Sequence, residues 1–520
     1  MSTRSNGQAS TDGISHLLGS VRSKGVRIWS DNGQLRYEAP KGALTQTEFD
    51  RLRASRGQIV TLLERTASAE AGGPEFAPLD RVPLAFSQLA HWHFFRLRER
   101  HAIRQLASAT RLGGSLNVAA LRKALAEMVC RHDALRTRIV VCDGIPAQEI
   151  AKSGDCELTV RDLTAVPENL HEAEVHRLIE QFILEPIDLA VGPLFGVQLL
   201  KLRDDVHVLI VVMEHIIADM YSLRILLREL FAAYAQTMKG RPFSLPAISV
   251  KFGDYALRQR NSEESWIEKH GAYWKTVLAG FQRLRFPEDK NLQITARSGW
   301  GIVYLKVGRD LKAELREWSR QRRTTIVMSV LTAYVGLVLR WCNASEAIIQ
   351  YQTDGRTRAN MANTIGYFAS ALSLGIAIGE NDSFLDLLKR VTETYCEAYE
   401  HADFSYLVAQ ESRPEFARST GFNWIPVRSG ADISELSELE YPIACRQVDF
   451  AHPLAKNIEV DGEPSITIFD TEEDETTGEV WFPRSRFSPE TMERFGRNFV
   501  VFIKALLRQA NEPVKGIELL

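Results

Sequence analysis

The stretch Val206–Asp219 reads VHVLIVVMEHIIAD. Its first eight residues are mostly apolar, and a run of this length is typical of a buried β-strand. Leucines at positions 223, 226, 227 and 230 then recur with the spacing of a helix. The chain is therefore predicted to pass from a strand into a helix here, with His215 and Asp219 four residues apart in the connecting turn.

His215 and Asp219 are candidate functional residues because of this position. A histidine whose pKa lies near neutrality is the usual general base for taking a proton from an attacking nucleophile. A carboxylate at the start of a helix is stabilised by the free N–H groups there, so Asp219 is predicted to hold the turn in shape or to pair with an arginine. An HxxxD pattern also occurs by chance, and the alternative is a histidine that only ends a strand.

The composition excludes several classes of protein. A chain of 520 residues has room for roughly two to four domains. A net charge of -3 without a Lys/Arg block gives no reason to expect nucleic acid, and no run approaches the ~20 apolar residues of a membrane span. Residues 1–13 do not resemble a signal peptide, and the six scattered cysteines lack metal-binding spacing. We therefore expect a cytoplasmic protein with free thiols, no metal, and neither nucleic acid nor membrane as a partner.

Residues 14–67 are predicted to form a small unit ahead of the main one. Apolar residues at helical spacing begin it, the turn sequence Asn32-Gly33 separates two short strand patterns, and a capping box opens the next helix. The order is α-β-β-α-α, and because a unit of this size is marginal alone, an adaptor is favoured over an enzyme. Residues 1–13 are expected to be disordered and residues 68–82 to form a linker.

From residue 83 onward the sequence alternates helical and β-rich patterns, which predicts an α/β fold. A polar stretch from about 241 to 265 is predicted to be irregular and to divide an N-lobe (residues 83–262) from a C-lobe (residues 263–520), with a cleft between them. Predicted helices lie at about 87–98, 116–131, 170–182, 221–237, 310–321, 326–341, 384–401 and 488–509. Predicted strands lie at about 195–202, 206–213, 301–306, 347–351, 371–378 and 464–469.

Six segments follow one another along the two lobes: PLAFSQ from Pro83, RHDALRTRI from Arg131, EHIIADMYS from Glu214, FGDYA from Phe252, IGYFASAL from Ile365 and HADFSYLV from His401. In this order they resemble the motifs of the condensation domains of nonribosomal peptide synthetases, and the resemblance runs from about Pro83 to the C-terminus. The sequence departs from the family at three positions. Ala90, Glu214 and Met220 stand where the family usually has arginine, histidine and glycine.

The resemblance implies two lobes, each like chloramphenicol acetyltransferase, in a V-shaped pseudo-dimer with an active site midway along a tunnel. A carrier protein would insert its phosphopantetheine thioester from one face and an acceptor would enter from the other, so no resident cofactor is expected. His215 corresponds to the catalytic histidine and Asp219 to the structural aspartate. Candidate ion-pair partners of Asp219 are Arg136 and Arg356, and candidate substrate-binding residues are Met220, Ser222, Tyr367 and Ser370.

Two departures have different expected consequences. Strand alternation should point Glu214 away from the cleft, so the loss of histidine there is expected to matter little. Met220 adds bulk beside the reaction centre and is expected to narrow the acceptor side.

Residues 14–67 resemble the β-hairpin docking domains at the N-termini of synthetase subunits. An exposed hairpin edge can accept an extended tail from another chain. Lys24, Arg27, Arg36 and Lys41 cluster around the predicted hairpin, so the expected partner is an upstream carrier protein with an acidic linear motif at its C-terminus. The alternative is a self-contained helical cap on the larger region.

Together these patterns predict a monomeric acyltransferase that moves a carrier-bound polyketide or peptidyl thioester onto a hydroxyl or amine acceptor. Since the sequence shows no adenylation or carrier domain, it is similar to stand-alone condensation enzymes that release a chain as an ester or amide. Three alternatives remain: an internal condensation domain that forms peptide bonds in a larger synthetase, an epimerisation domain of the same fold, and a non-catalytic binding module.

Overall fold

The structure is a computed structural model that describes residues 27–31, 34–38, 44–57, 59–60, 81–96, 105–142, 144–154, 156–261, 264, 267–289, 299–356, 358–402, 419–427, 443–448, 462–471 and 476–520. The helices in these ranges are α1 (Gln46–Ala54), α2 (Phe86–Arg96), α3 (Val118–Arg131), α4 (His171–Leu184), α5 (Met220–Met238), α6 (Phe252–Asn261), α7 (Ala272–Ala279), α8 (Arg309–Gln321), α9 (Ile326–Trp341), α10 (Phe384–Glu400) and α11 (Pro489–Arg508).

The strands of the described ranges are β1 (Arg27–Asp31), β2 (Gln34–Glu38), β3 (Arg81–Pro83), β4 (Gln105–Gly113), β5 (Thr137–Cys142), β6 (Ile145–Ile150), β7 (Leu158–Asp162), β8 (Phe195–Arg203), β9 (Val206–Glu214), β10 (Trp300–Val307), β11 (Glu346–Thr353), β12 (Ser370–Ala377), β13 (Gly421–Val427), β14 (Ala444–Gln447), β15 (Ser465–Thr471) and β16 (Thr476–Pro483). The N-lobe sheet has the order β14-β4-β9-β8-β7, and a smaller sheet has the order β3-β6-β5. The C-lobe sheet has the order β10-β16-β15-β13-β11-β12.

The predicted helices and strands are confirmed to within a few residues at their ends wherever the structure describes them. The prediction of an irregular stretch over 241–265 is wrong in its middle, because Phe252–Asn261 forms α6. This helix was missed since its sequence is polar and short, yet Phe252, Tyr255 and Ala256 are buried on one side of it. That side packs against Phe368, so that α6 contacts the C-lobe.

Strand β9 is buried on both faces, which explains its unbroken apolar sequence. Leu209, Val211 and Met213 belong to the core that contains α3 and α5. Residues of the opposite parity, Val208 and Ile210 among them, belong to a second core formed with α4. The strand is thus fixed between two layers, and the turn that follows it has a rigid support.

Helix α9 is the centre of the C-lobe. Twelve of its sixteen residues are buried, because α10 and α11 cover it and the six-stranded sheet lies against it. A helix that is apolar on all sides is expected in such a position. Among the described residues no single helix has the length and hydropathy to cross a membrane; only α8 and α9 taken together pass that test, and they are bent by 106°.

The two lobes share a sheet. Strand β14 belongs to the second half of the sequence but pairs antiparallel with β4 of the N-lobe, Ala444 opposite Gly113 and Gln447 opposite Thr110. Further along, the backbone N–H of Val448 donates to the carbonyl of Ala109 at 2.9 Å. The boundary predicted at residue 262 therefore divides the sequence into two halves, but one strand of the second half belongs to the sheet of the first.

The hairpin predicted in the N-terminal unit is confirmed. Strands β1 and β2 pair antiparallel, with Arg27 opposite Glu38 and Asp31 opposite Gln34. Tyr37 of the hairpin meets Phe49 of α1 edge-on, with ring centroids 6.0 Å apart. The first predicted helix, near residues 14–21, lies outside the described residues, and so do residues 68–80 of the linker predicted at 68–82. The prediction is wrong at the last two linker positions, because residues 81 and 82 belong to β3 and pair with β6.

Candidate active site

The turn between β9 and α5 is built from residues that each have a local role. Strand β9 ends at Glu214, one 3₁₀ turn covers His215–Ile217, and Asp219 is the N-cap of α5. Asp219 Oδ1 accepts the backbone N–H of Ser222 at 2.7 Å, which satisfies one of the free donors at the helix start. The turn therefore fixes the spacing between the imidazole and the carboxylate.

His215 is held in one tautomer. Its Nδ1 lies 2.8 Å from the carbonyl oxygen of Ala218. Because a carbonyl can only accept, Nδ1 carries the proton and the lone pair is left on Nε2. Burial of the ring lowers the pKa of His215, an effect that its own backbone, Asp219 and the Ala218 carbonyl partly oppose. The imidazole is accordingly neutral near pH 7 and able to accept a proton at Nε2.

Asp219 is a buried carboxylate with a full set of donors. Oδ2 accepts from Arg356 Nη1 at 2.7 Å and from the backbone N–H groups of Phe368 at 3.1 Å and Ala369 at 3.2 Å. A buried charge is tolerated only when it is paired and hydrogen-bonded in this way. Since all these donors come from the C-lobe, Asp219 joins the two lobes beside His215 and does not face a substrate.

Arg356 is the ion-pair partner of Asp219, one of the two that the resemblance offered. Its side chain is only 4% exposed, and its guanidinium lies between the rings of Tyr221 and Phe368, 4.5 and 4.6 Å from their centroids. Gly355 makes this approach possible: its φ is +63°, and a Cβ there would lie 1.8 Å from the carbonyl oxygen of Phe368.

The second candidate, Arg136, is wrong as a partner of Asp219. Its guanidinium donates to Asp133 Oδ1 at 2.6 Å and to the carbonyl oxygen of Val129 at 2.9 Å. These contacts tie the end of α3 to the start of β5. Arg136 lies one residue before β5, and its guanidinium forms an ion pair within the N-lobe, with Asp133.

The candidate substrate-binding residues fall into two groups. Ser222 is completely buried, and its hydroxyl lies 2.8 Å from Asp219 Oδ1 and 3.0 Å from Arg356 Nη2. Its assignment to substrate binding is therefore corrected: Ser222 is part of the Asp219 network and cannot meet a ligand. Met220, in contrast, is 41% exposed as the first residue of α5.

Tyr367 and Ser370 lie on the segment that holds Asp219. The Tyr367 ring meets His215 edge-on, with centroids 4.8 Å apart and planes at 67°. Ser370 begins β12 and its hydroxyl donates to the carbonyl oxygen of Ala402 at 3.1 Å. Both side chains are partly exposed, so both remain candidates for contact with substrate.

Sequence reasoning missed the contribution of α2. Gln88 Nε2 donates to the carbonyl oxygen of Ile216 at 2.9 Å, and Ser87 Oγ donates to that of Tyr367 at 2.6 Å. His91 lies 5.5 Å from His215 and 5.2 Å from Tyr367, ring centroid to centroid. The spacing of Ser87 and His91 at i and i+4 places them on one helix face, and that was the signal available in the sequence.

The structure describes Glu214 and two of the four predicted docking residues. Glu214 continues the β9 ladder opposite Gln105, is buried, and falls on the strand face of Val208 and Ile210, away from the face that leads to His215. Arg36 is exposed on β2, and Arg27 begins β1. The other two predicted docking residues, Lys24 and Lys41, lie outside the described residues.

Two protein families match separate parts of the chain. The Condensation domain family matches residues 79–520. The TubC N-terminal docking domain family matches residues 14–65.

Curated relatives are long synthetase chains. One of the linear gramicidin synthase chains of Brevibacillus parabrevis is 32% identical over 358 residues, 68% of this chain and 7% of its own. Phosphinothricin tripeptide synthetase PhsC of Streptomyces viridochromogenes is 28% identical over 457 residues, 85% of this chain and 41% of its own. The chain thus spans less than half the length of either relative.

Solved structures share the fold. The condensation domain from Monacolin K polyketide synthase MokA superposes with a TM-score of 0.70 at 17% identity, covering 84% of this chain and 99% of that one. The predicted α/β fold with two acetyltransferase-like lobes is confirmed by this match.

Proposed function

Since the chain belongs to the Condensation domain family and carries a TubC N-terminal docking domain, we propose that it is an acyltransferase acting on a thioester held by a separate carrier protein. The donor would be a polyketide or peptidyl chain, and the acceptor a small molecule with a free hydroxyl or amine. The phosphopantetheine arm that presents the donor would belong to the carrier. The product would leave as an ester or amide.

The observation that carries this proposal is the fixed tautomer of His215. The Ala218 carbonyl holds the proton on Nδ1, and burial lowers the pKa, so Nε2 is a base at neutral pH. The acceptor oxygen or nitrogen would attack the thioester carbonyl while Nε2 takes its proton. A C–O or C–N bond forms, the C–S bond breaks, and the proton passes from His215 to the departing sulfur, which regenerates the neutral imidazole.

The direct test loads the cognate carrier with an acyl chain and offers it amine and hydroxyl acceptors, with intact mass of carrier and product as the measurement. We expect His215→Gln to slow transfer by about 10²–10⁴-fold, since that is the usual contribution of a general base. His176→Gln is the matched control, because His176 lies exposed on α4, and it should transfer at the wild-type rate.

The same experiment separates the alternatives. If no acceptor discharges the carrier faster than water does, the acyl-transfer proposal fails. Transfer only to an amine held on a second carrier would show an internal peptide-forming domain. Inversion of the donor's α-carbon without an acceptor would show epimerisation. A wild type that binds the carrier but discharges it no faster than His215→Gln, with both at the rate of hydrolysis by water, would favour a binding module.

For the N-terminal unit we propose docking of an acidic C-terminal motif of the carrier. The support is the paired hairpin β1–β2, with Arg36 exposed on β2, and four basic residues in or near the hairpin sequence. An extended acidic segment could add to the hairpin edge through backbone hydrogen bonds, while the basic side chains select its charge.

A further inference from the structure

The site contains a second imidazole that nothing in the proposed reaction uses. His91 is 8% exposed, lies on α2, and its ring is 5.5 Å from that of His215 with the planes tilted by 49°. It also meets Tyr367 edge-on, at 5.2 Å and 71°. With the 4.8 Å contact between Tyr367 and His215, the three rings form a closed triangle.

His215 needs this support because its hydrogen bond fixes only one atom. The bond from Nδ1 to the Ala218 carbonyl sets the tautomer, but the ring can still tilt about that atom, and the terminal torsion of a histidine is broad by itself. An aromatic edge packed against the ring resists the tilt. Tyr367 supplies it, at a separation within the usual range for edge-to-face pairs.

Tyr367, in turn, has a fixed backbone and a side chain that must be held. Its carbonyl accepts from Ser87 Oγ at 2.6 Å, and the N–H groups of Phe368 and Ala369 that follow it are bound to Asp219. The ring of Tyr367 is contacted from α2 by His91, four residues after Ser87 on the same helix. Helix α2 therefore contacts both the backbone and the ring of Tyr367.

We infer that His91 is a positioning residue for the general base: its ring holds Tyr367 against His215, and thereby sets the direction of Nε2. This inference rests on the proposed function of His215. His91 acts through the face and edge of its ring and not through proton transfer. A misdirected base lowers the rate of the chemical step and leaves carrier binding unchanged, because the proposed docking surface is the N-terminal hairpin and His91 is buried.

The test compares His91→Leu with His91→Phe in the full chain, using the acyl-loaded carrier. His91→Leu should lower kcat by about tenfold or more at unchanged KM for the carrier, since small misplacements of a catalytic group cost up to ~10²-fold. His91→Phe keeps a ring of similar size and should recover most of kcat. Adding His91→Leu to Tyr367→Leu should cost little more, because both disrupt one contact chain.

Two results would overturn the inference: an unchanged kcat in His91→Leu, whether or not KM changes, or a His91→Phe variant as slow as His91→Leu. NMR of ¹⁵N-histidine-labelled protein provides a readout that does not depend on turnover. The Nδ1–H tautomer of His215 should be retained in both variants, because the Ala218 carbonyl sets it. The ring resonances of His215 should match the wild type in His91→Phe and be shifted or broadened in His91→Leu, where the ring can tilt; equal spectra would reject a positioning role. If the wild type fails to discharge the carrier, the proposed function falls, whereas the NMR comparison still tests whether His91 positions His215.

Discussion

The tautomer of His215 is set by the backbone carbonyl of Ala218, only three residues further along the chain. Most catalytic histidines are oriented by a carboxylate or a carbonyl, and here the carbonyl of Ala218 does this while Asp219 binds away from the ring. The division of roles has a consequence for charge. A carboxylate bonded to Nδ1 would strongly raise the pKa of the imidazole, whereas a neutral carbonyl leaves burial as the dominant effect.

Transfer should therefore depend on pH in a defined direction. Because burial lowers the pKa of His215, the base stays neutral further into the acid range than an exposed histidine, whose ordinary value is 6.5. We expect kcat to be flat around neutrality and to fall on acidification with a midpoint below 6.5. Single-turnover discharge of the loaded carrier across pH measures this; a midpoint above the ordinary value would contradict the neutral-base mechanism.

At the scale of helices and strands, the hairpin of β1 and β2 gives the clearest prediction. Arg36→Glu should raise KM for the carrier several-fold without a change in kcat, because it reverses an exposed charge on β2, the strand of the proposed docking surface. Arg51→Glu is the matched control, since Arg51 is exposed on α1 and not on the hairpin.

The effect of Arg36→Glu should shrink with added salt as the charges are screened. Deletion of residues 1–67 should raise KM in the same way. An Arg36→Glu variant that matches Arg51→Glu would show that the hairpin does not select an acidic partner.

A second element-scale prediction concerns the π-helical turn Ile267–Gly271. His270 is buried there with its Nδ1 3.0 Å from Nδ1 of His401, whose ring stacks on Tyr273 at 4.0 Å. Burial first, then His401 and Lys269, lowers the pKa of His270 from 6.5 to about 4. Between pH 6.5 and about pH 4, this histidine is therefore protonated in the unfolded chain but still neutral in the folded protein.

Stability should consequently fall as the pH falls through that window. The expected loss is about 2 kcal/mol between pH 7 and pH 5. His270→Phe, which cannot titrate, should lose less over the same interval, as measured by denaturant unfolding at both pH values. Equal losses in the two proteins would show that this histidine pair does not control the pH dependence.

At the scale of helices and strands, the sequence predicted the structure best where the pattern of apolar residues was strong. Helix α5 has regular apolar spacing and α9 is a long, mostly apolar run, and the structure places both as predicted. Strand β4, with the sequence QLASATRLG, was missed because its alternation is mostly of small and polar residues. The same limit applies to the site: His215 and Asp219 are local, but the donors on Arg356, Phe368 and Ala369 come from more than a hundred residues away.

At the scale of the whole molecule, the ion pair between Asp219 and Arg356 connects the two lobes next to the candidate base His215. Arg356→Met should lower the free energy of unfolding by about 3–5 kcal/mol, because it leaves a buried carboxylate unpaired. The double variant Asp219→Asn/Arg356→Met removes the charge as well and should recover part of that loss. Denaturant unfolding of both variants measures this.

Arg224→Met is the control for a general effect of cross-lobe arginines. Arg224 also spans the lobes, yet it donates at the surface to the carbonyl of Pro426 at 2.7 Å. Its loss should cost no more than about 1 kcal/mol. If the double variant were as unstable as Arg356→Met alone, the penalty would not come from an unpaired Asp219.

Strand β14 also bears on how the protein is made. The edge of β4 between Thr110 and Gly113 acquires its partner from residues 444–447, more than three hundred positions later. A ribosome adding about 5–20 residues per second needs on the order of tens of seconds to reach them. Once β4 has paired with β9, the nascent N-lobe presents the other edge of β4 unpaired until β14 is made. An open strand edge favours misassociation in the cell, so the first lobe expressed by itself should aggregate.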